Sequence, residues 1–198
     1  MILLIYYCNI LFTFDENIYQ MKPFRILILT LSFIIVALHS FAQFNWAQIG
    51  VDGLTCSACT RSVEMSIRKL TFVDSVTMNL EHTTGKITFK KGAKVEIDKI
   101  AKAVTDAGFS LRSLYAGINI SELKVTENAC WQFENNTYHF IKIPDSKDFK
   151  GIVSVQFIGE KFMPKKEYKN WKQYCKDTCT PPTPQPTAVS KTYYVSVL

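Results

Sequence analysis

Apolar and polar residues alternate from Trp46 to Val51. Ala47, Ile49 and Val51 stand between Trp46, Gln48 and Gly50, the two-residue period of a strand buried on one face. From Thr60 to Leu70 the period lengthens: Val63, Ile67 and Leu70 share one side, and Arg61, Glu64 and Arg68 take the other. That is an amphipathic helix, with Arg68 and Lys69 at the end where cations complement the helix dipole. Val76, Met78 and Leu80 alternate next, His82-Thr83-Thr84-Gly85 supplies a turn, and Ile87 and Phe89 alternate again, which reads as a hairpin. Ile97, Ile100, Ala101 and Val104 restore the helical period, with Gly108 as a C-terminal stop. Phe109, Leu111, Ser113 and Tyr115 then alternate as a last strand. The order strand, helix, strand, strand, helix, strand predicts an α+β fold of the ferredoxin-like βαββαβ type, with an antiparallel sheet and both helices on one face.

Beyond Gly117 the pattern changes. Cys130–Phe133, Tyr138–Ile141 and Ile152–Phe157 are short runs rich in aromatic and β-branched residues, which read as strands. Pro164 opens a helix reaching about Cys175, Pro181, Pro182, Pro184 and Pro186 make a stiff connector, and Tyr193–Leu198 supplies a final strand. The predicted domains are 43–116, a small C-terminal α+β extension at 117–180, and a connector with terminal strand at 181–198.

Between the first strand and first helix lies Gly53-Leu54-Thr55-Cys56-Ser57-Ala58-Cys59. Two thiols separated by two residues on a tight loop can face one centre, and thiolate is the soft ligand that selects Cu(I), zinc or other thiophilic ions. A helix starting near Ser57 or Ala58 would favour the thiolate form with its unpaired N–H groups. The same spacing serves a redox dithiol or a disulfide, so the pair alone leaves the chemistry open.

The flanking residues narrow it. From Asn45 to Tyr115 the chain resembles the heavy-metal-associated domains of soluble copper chaperones, of P-type ATPase metal-binding repeats and of the periplasmic mercury-binding protein. Gly53, Thr55, Cys56 and Cys59 match the family motif Gly-Met-Thr-Cys-x-x-Cys, with Leu54 in place of Met, a swap close to volume-conserving. Val63, Glu64, Ile67 and Leu70 fall on the family's first helix, and Gly108-Phe109 on the loop that approaches the metal. The resemblance implies that Cys56 and Cys59 ligate the metal, that Leu54 anchors the loop and Thr55 fixes its backbone, and that Phe109 shields the site. It implies Cu(I) as first choice, with Zn, Hg or another thiophilic ion as alternatives. The implied partner is a metal donor or acceptor such as a P-type ATPase, with the ion passed by thiolate exchange and no enzymatic turnover. Two other readings stay open: a thiol oxidoreductase using the same pair, and a metal-free binding module. Against the oxidoreductase, no proline occurs from Cys59 to Tyr115.

The leader sets the compartment. Lys22 and Arg25, the apolar run Ile26–Leu38 and Ser40-Phe41-Ala42 form a secretory signal cleaved after Ala42, with Met21 as the expected start, which predicts a periplasmic or secreted protein. Membrane contact is expected only through an uncleaved leader. The net charge of +6 is unchanged by removing residues 1–42, and no Lys/Arg block long enough for nucleic acid is present. The densest basic run, Lys161–Lys176, includes Glu167 and has helical spacing; it reads as a solvated helix face, with contact to a membrane surface or an acidic partner as the minority reading. Of the six Cys, Cys8 lies in the leader, and Cys130, Cys175 and Cys179 are the candidates for a disulfide in an exported protein. His82 and His139 form no metal-ligand spacing, and no phosphate loop or hydrolase elbow appears.

Overall fold

A computed structural model describes residues 43–125, 128–134, 136–143, 147–175 and 191–197. The expected leader, the Pro-rich stretch and Cys179 lie outside the described residues. The strands are β1 (Gln43–Asp52), β2 (Val73–Asn79), β3 (Thr84–Phe89), β4 (Ser110–Val125), β5 (Cys130–Phe133), β6 (Asn136–Phe140), β7 (Lys147–Ile158) and β8 (Thr192–Val197). The helices are α1 (Ser57–Arg68), α2 (Ile97–Asp106) and α3 (Lys165–Trp171). The first six elements form the expected ferredoxin-like βαββαβ unit, with strand order β2-β3-β1-β4. The sheet then continues through β7, β8, β6 and β5 to eight strands, antiparallel throughout except where β6 runs parallel to β8.

Alternation carries the inner faces, and bulges reset its phase. On β1, Ala47, Ile49 and Val51 are fully buried as the pattern requires. A register shift between Phe44 and Trp46 lets Phe44 turn inward as well. On β2 the shift lies between Val73 and Ser75, so Val73 and Val76 are both buried, while Leu80 sits in the turn at 41% exposure. On β4 the partners Gly50↔Ser113 and Val51↔Leu111 leave Arg112 as an extra residue. Beyond it Leu114, Ala116, Ile118 and Ile120 face inward, so the alternation expected through Phe109, Leu111, Ser113 and Tyr115 holds only as far as the bulge.

The helices bury most of the predicted stripes: Val63 and Ile67 on α1, whose third expected member Leu70 lies half-buried just past the helix end, and Ile97, Ile100, Ala101 and Val104 on α2. Each Val or Ile among them contributes about 1.5–3 kcal/mol relative to exposure.

The domain boundary expected at 116/117 falls inside β4, a single strand from Ser110 to Val125. The described strands that follow continue the same sheet: β7 pairs with β4 from Tyr115 to Val125, and β1 to β8 lie within one compact unit. The physical reason is Phe44. Its ring meets Phe89 at 6.4 Å, and Phe133, Tyr138 and Phe157 at 5.6, 6.2 and 6.5 Å, joining the first six elements to the last strands in one aromatic core. At the surface Lys191 and Lys161 reach Asp98 on α2 at 2.7 and 3.5 Å.

Helix α3 packs elsewhere. Tyr168, Trp171 and Cys175 lie with Tyr194 against Ile141, Ile158 and Met163, a cluster apart from the main core.

Candidate metal centre

Cys56 is the N-cap of α1, with φ −147° and ψ 160°, and the Cys59 amide donates to its Sγ at 3.2 Å. Thr60 donates to the Cys56 carbonyl twice, from its backbone amide and from its hydroxyl, each at 3.1 Å. The loop thus enters the helix through its own sulfur, in the role a Ser or Asp oxygen usually fills. The first turn of α1 carries no acidic residue, so nothing offsets the attraction of its amide dipoles for negative charge on sulfur.

The two Cα atoms are 5.2 Å apart, and the side chains are joined as a disulfide. Cys56 is exposed, whereas Cys59 is half-buried against the core. The pair therefore has one sulfur facing solvent and one facing the fold.

Three supports hold this geometry. Leu54 is 5% exposed and locks the loop into the core. Gly53 has φ 86°, a left-handed conformation that glycine adopts without a Cβ clash. The ring of Phe109 packs over it, with Cδ1 3.6 Å from where a Cβ would stand. Phe109 is aimed there by the end of α2: Gly108 at φ 88° donates to the Thr105 carbonyl at 2.9 Å, and Phe109 donates to Val104 at 3.1 Å. This is the paired-bond Schellman stop, and the sequence signal for it was the glycine after the last apolar position.

Thr55 is exposed and, among the described residues, makes no side-chain hydrogen bond. The backbone-fixing task expected of it is performed by Thr60 and the Cys59 amide.

Arg112 was not singled out from sequence. From its bulge it donates to the Thr83 hydroxyl at 2.8 Å and the His82 carbonyl at 3.1 Å, and pairs with Asp52 at 3.5 Å. It thereby ties the β2–β3 turn to the strand end that launches the Cys loop. No spacing rule finds it, because the bulge that directs it is a product of the fold.

The other described cysteines, Cys130 and Cys175, lie on other elements. Cys130 is disulfide-bonded, the Cys175 thiol donates to the Trp171 carbonyl at 3.5 Å, and His139 is fully buried beside the Tyr194 ring. Among the described residues no group of three or more His, Cys, Asp or Glu could hold a metal ion. Among the described residues the centre therefore offers two sulfurs and no third His, Cys, Asp or Glu ligand.

A βαββαβ unit presenting paired cysteines at the N-terminus of its first helix is the arrangement of a heavy-metal-binding domain. The chain belongs to the heavy-metal-associated domain family, whose model matches residues 48–110. It is 35% identical over 69 residues to the mercuric transport protein periplasmic component of Serratia marcescens, covering 35% of this chain and 75% of that protein. It is 37% identical over 62 residues to the copper chaperone CopZ of Bacillus subtilis, covering 31% of this chain and 87% of that one. A solved structure of oxidized MerP from Ralstonia metallidurans CH34 is 35% identical, covers 35% of this chain and 96% of its own, and superposes with a TM-score of 0.30. The chain spans only 8% of the copper-transporting ATPase 1 of Rhizobium meliloti, to which it is 33% identical. Residues 117–198 lie outside the family match.

Proposed function

We propose that the protein is an exported carrier that captures one thiophilic ion, Cu(I) foremost, between Cys56 and Cys59 and passes it on by thiolate exchange. The observation that carries this reading is the placement of both sulfurs at the exposed start of α1, with no third ligand among the described residues. Two soft donors suit an ion that accepts low coordination. A structural zinc site, which takes four ligands, is poorly served.

Capture begins from the dithiol. The Cys56–Cys59 disulfide takes two electrons and two protons from a dithiol reductant, which is itself oxidised to a disulfide. The two thiols then lose their protons as the ion binds. Cys59 holds the inner side, and Cys56 leaves the outer side open to a partner's thiolate. Transfer proceeds through a shared three-sulfur state, so no free ion is released. Leu54 and Phe109 keep the loop seated during the exchange. The partner is a metal donor or acceptor such as a P-type ATPase, and the compartment, read from the leader, is periplasmic or extracellular. Relatives named as a periplasmic mercuric transport component and as a copper chaperone support the ion class and leave Hg(II) as the second candidate. No catalytic role is proposed.

Anaerobic titration of the reduced protein with Cu(I) against a chromophoric chelator tests the reading. Wild type withdraws one equivalent, and the Cys56→Ser/Cys59→Ser variant withdraws none; equal uptake by both sinks it. The disulfide favours one other reading, a thiol oxidoreductase. Sustained insulin reduction by the wild-type protein would select that alternative.

A further inference from the structure

Gly50 carries no side chain, and Arg112 uses the space. A Cβ built on Gly50 would stand 3.3 Å from the Arg112 Nε and 3.4 Å from its Nη2, so the guanidinium lies across the backbone of β1. Its Nη1 donates to the Thr83 hydroxyl at 2.8 Å and faces the Asp52 carboxylate at 3.5 Å, while Nη2 donates to the His82 carbonyl at 3.1 Å. One planar cation thus touches β1 at Gly50 and Asp52 and the β2–β3 turn at His82 and Thr83. The turn answers through its backbone, where the Thr83 carbonyl accepts from the Val51 amide at 2.9 Å. Gly50, Val51 and Asp52, which lead directly into Gly53 and the Cys loop, are therefore held by side chain and main chain together.

We infer that Arg112 is a positioning residue of the metal centre: by fixing the end of β1 it holds the Cys56–Cys59 loop in the arrangement that receives an ion, and so sets how tightly the reduced pair binds. The inference rests on the metal reading for its ligand, and on the hydrogen bonds above for its geometry. An arginine suits the task, because its rigid fork holds the turn and the strand end at once, where a lysine offers one point charge. Its contribution is preorganisation. A loop already close to its bound arrangement gives up less conformational freedom when an ion closes on it. Arg112 acts through the backbone of β1, so its loss leaves both sulfurs in the chain and weakens their joint grip.

Competition of the reduced protein with a chromophoric chelator for Cu(I), run beside amide hydrogen exchange of the metal-free form, tests the inference. Affinities are read where every variant is fully folded, so a loss of stability alone moves none of them. Arg112→Ala lowers Cu(I) affinity about tenfold, the lower end of what residues supporting a metal ligand contribute, and speeds exchange at the Val51 and Cys59 amides. Gly50→Ala keeps the arginine but crowds its guanidinium, and shifts both readouts the same way in smaller measure. Ser75→Ala is the control: it removes the 2.7 Å hydroxyl pair with Thr88, towards the other end of the same strands, and changes neither readout. Wild-type affinity or wild-type exchange in Arg112→Ala, or an equal loss of affinity in Ser75→Ala, would overturn the inference. Absence of Cu(I) uptake by the wild-type protein sinks the metal reading itself, whereas full affinity retained in Arg112→Ala sinks this inference alone.

Discussion

At the residue scale the centre depends on side chains that do not touch an ion. Gly53 at φ 86° places the loop, and because the ring of Phe109 lies at ordinary contact distance from an added Cβ, Gly53→Ala is conformationally rather than sterically costly. We expect it to lose about 1–2 kcal/mol in denaturant unfolding; unchanged stability would contradict the assigned backbone role. Leu54→Met, by contrast, is expected to be tolerated, being close to isosteric. Glu134 is a separate case. It has φ 49°, one buried carboxylate oxygen without a hydrogen-bond partner, and a pKa raised by burial against the opposing effects of Lys94 and the Val95 amide. Because its folded pKa lies above the unfolded value of about 4.3, its contribution is fully present below that pH and is lost as pH rises through the folded pKa. Glu134→Gln should therefore gain stability relative to wild type as pH is raised from acid towards neutrality. A difference between the two proteins that is flat with pH would refute this.

At the element scale the helices and hairpin were legible in the sequence because their apolar spacing is periodic. Ile97, Ile100, Ala101 and Val104 are buried as a stripe, and the C-terminal glycine stop of α2 is where Gly108 indicated. What escaped were the bulges, since one extra residue at Asn45, Asp74 or Arg112 shifts every later side chain to the other face without a mark in the pattern. Arg112 shows the consequence. Its hydrogen bonds to Thr83 and His82 exist only because the bulge points it at the turn. Arg112→Ala should cost about 1–2 kcal/mol, and Arg112→Lys should restore little, since a lysine cannot reproduce the two-pronged donation; full rescue by lysine would show that charge alone matters. Asp98 behaves oppositely to Glu134. Burial pushes its pKa up, but the hydrogen bond from Lys191 and the charges of Lys161 and Lys191 outweigh this and hold it below the usual value. Its contribution is present above about pH 4 and fades as pH falls through the lowered pKa. Asp98→Asn should flatten that acid limb of the stability profile.

At the scale of the whole molecule, β1–β4 share one sheet and one aromatic cluster with the described strands that follow. The Cys loop and the βαββαβ order were readable from residues 43–116, yet the eight-stranded sheet was not. Strand pairing between distant segments is set by complementary inner faces, here Phe44 against Phe133, Tyr138 and Phe157, and no local period announces it. A fragment ending at residue 116 would cut β4 and uncover Phe44, so it should self-associate, while the longer chain unfolds in one transition by both near- and far-UV probes. A monomeric fragment of unchanged melting temperature would argue for two independent units. The central claim, that two sulfurs grip one ion, is tested most directly by thiol protection. The reduced protein is alkylated anaerobically with and without one equivalent of Cu(I), and the modified cysteines are located by mass spectrometry. Protection of both Cys56 and Cys59 by that single equivalent is the predicted result, and alkylation of either at its metal-free rate would contradict it.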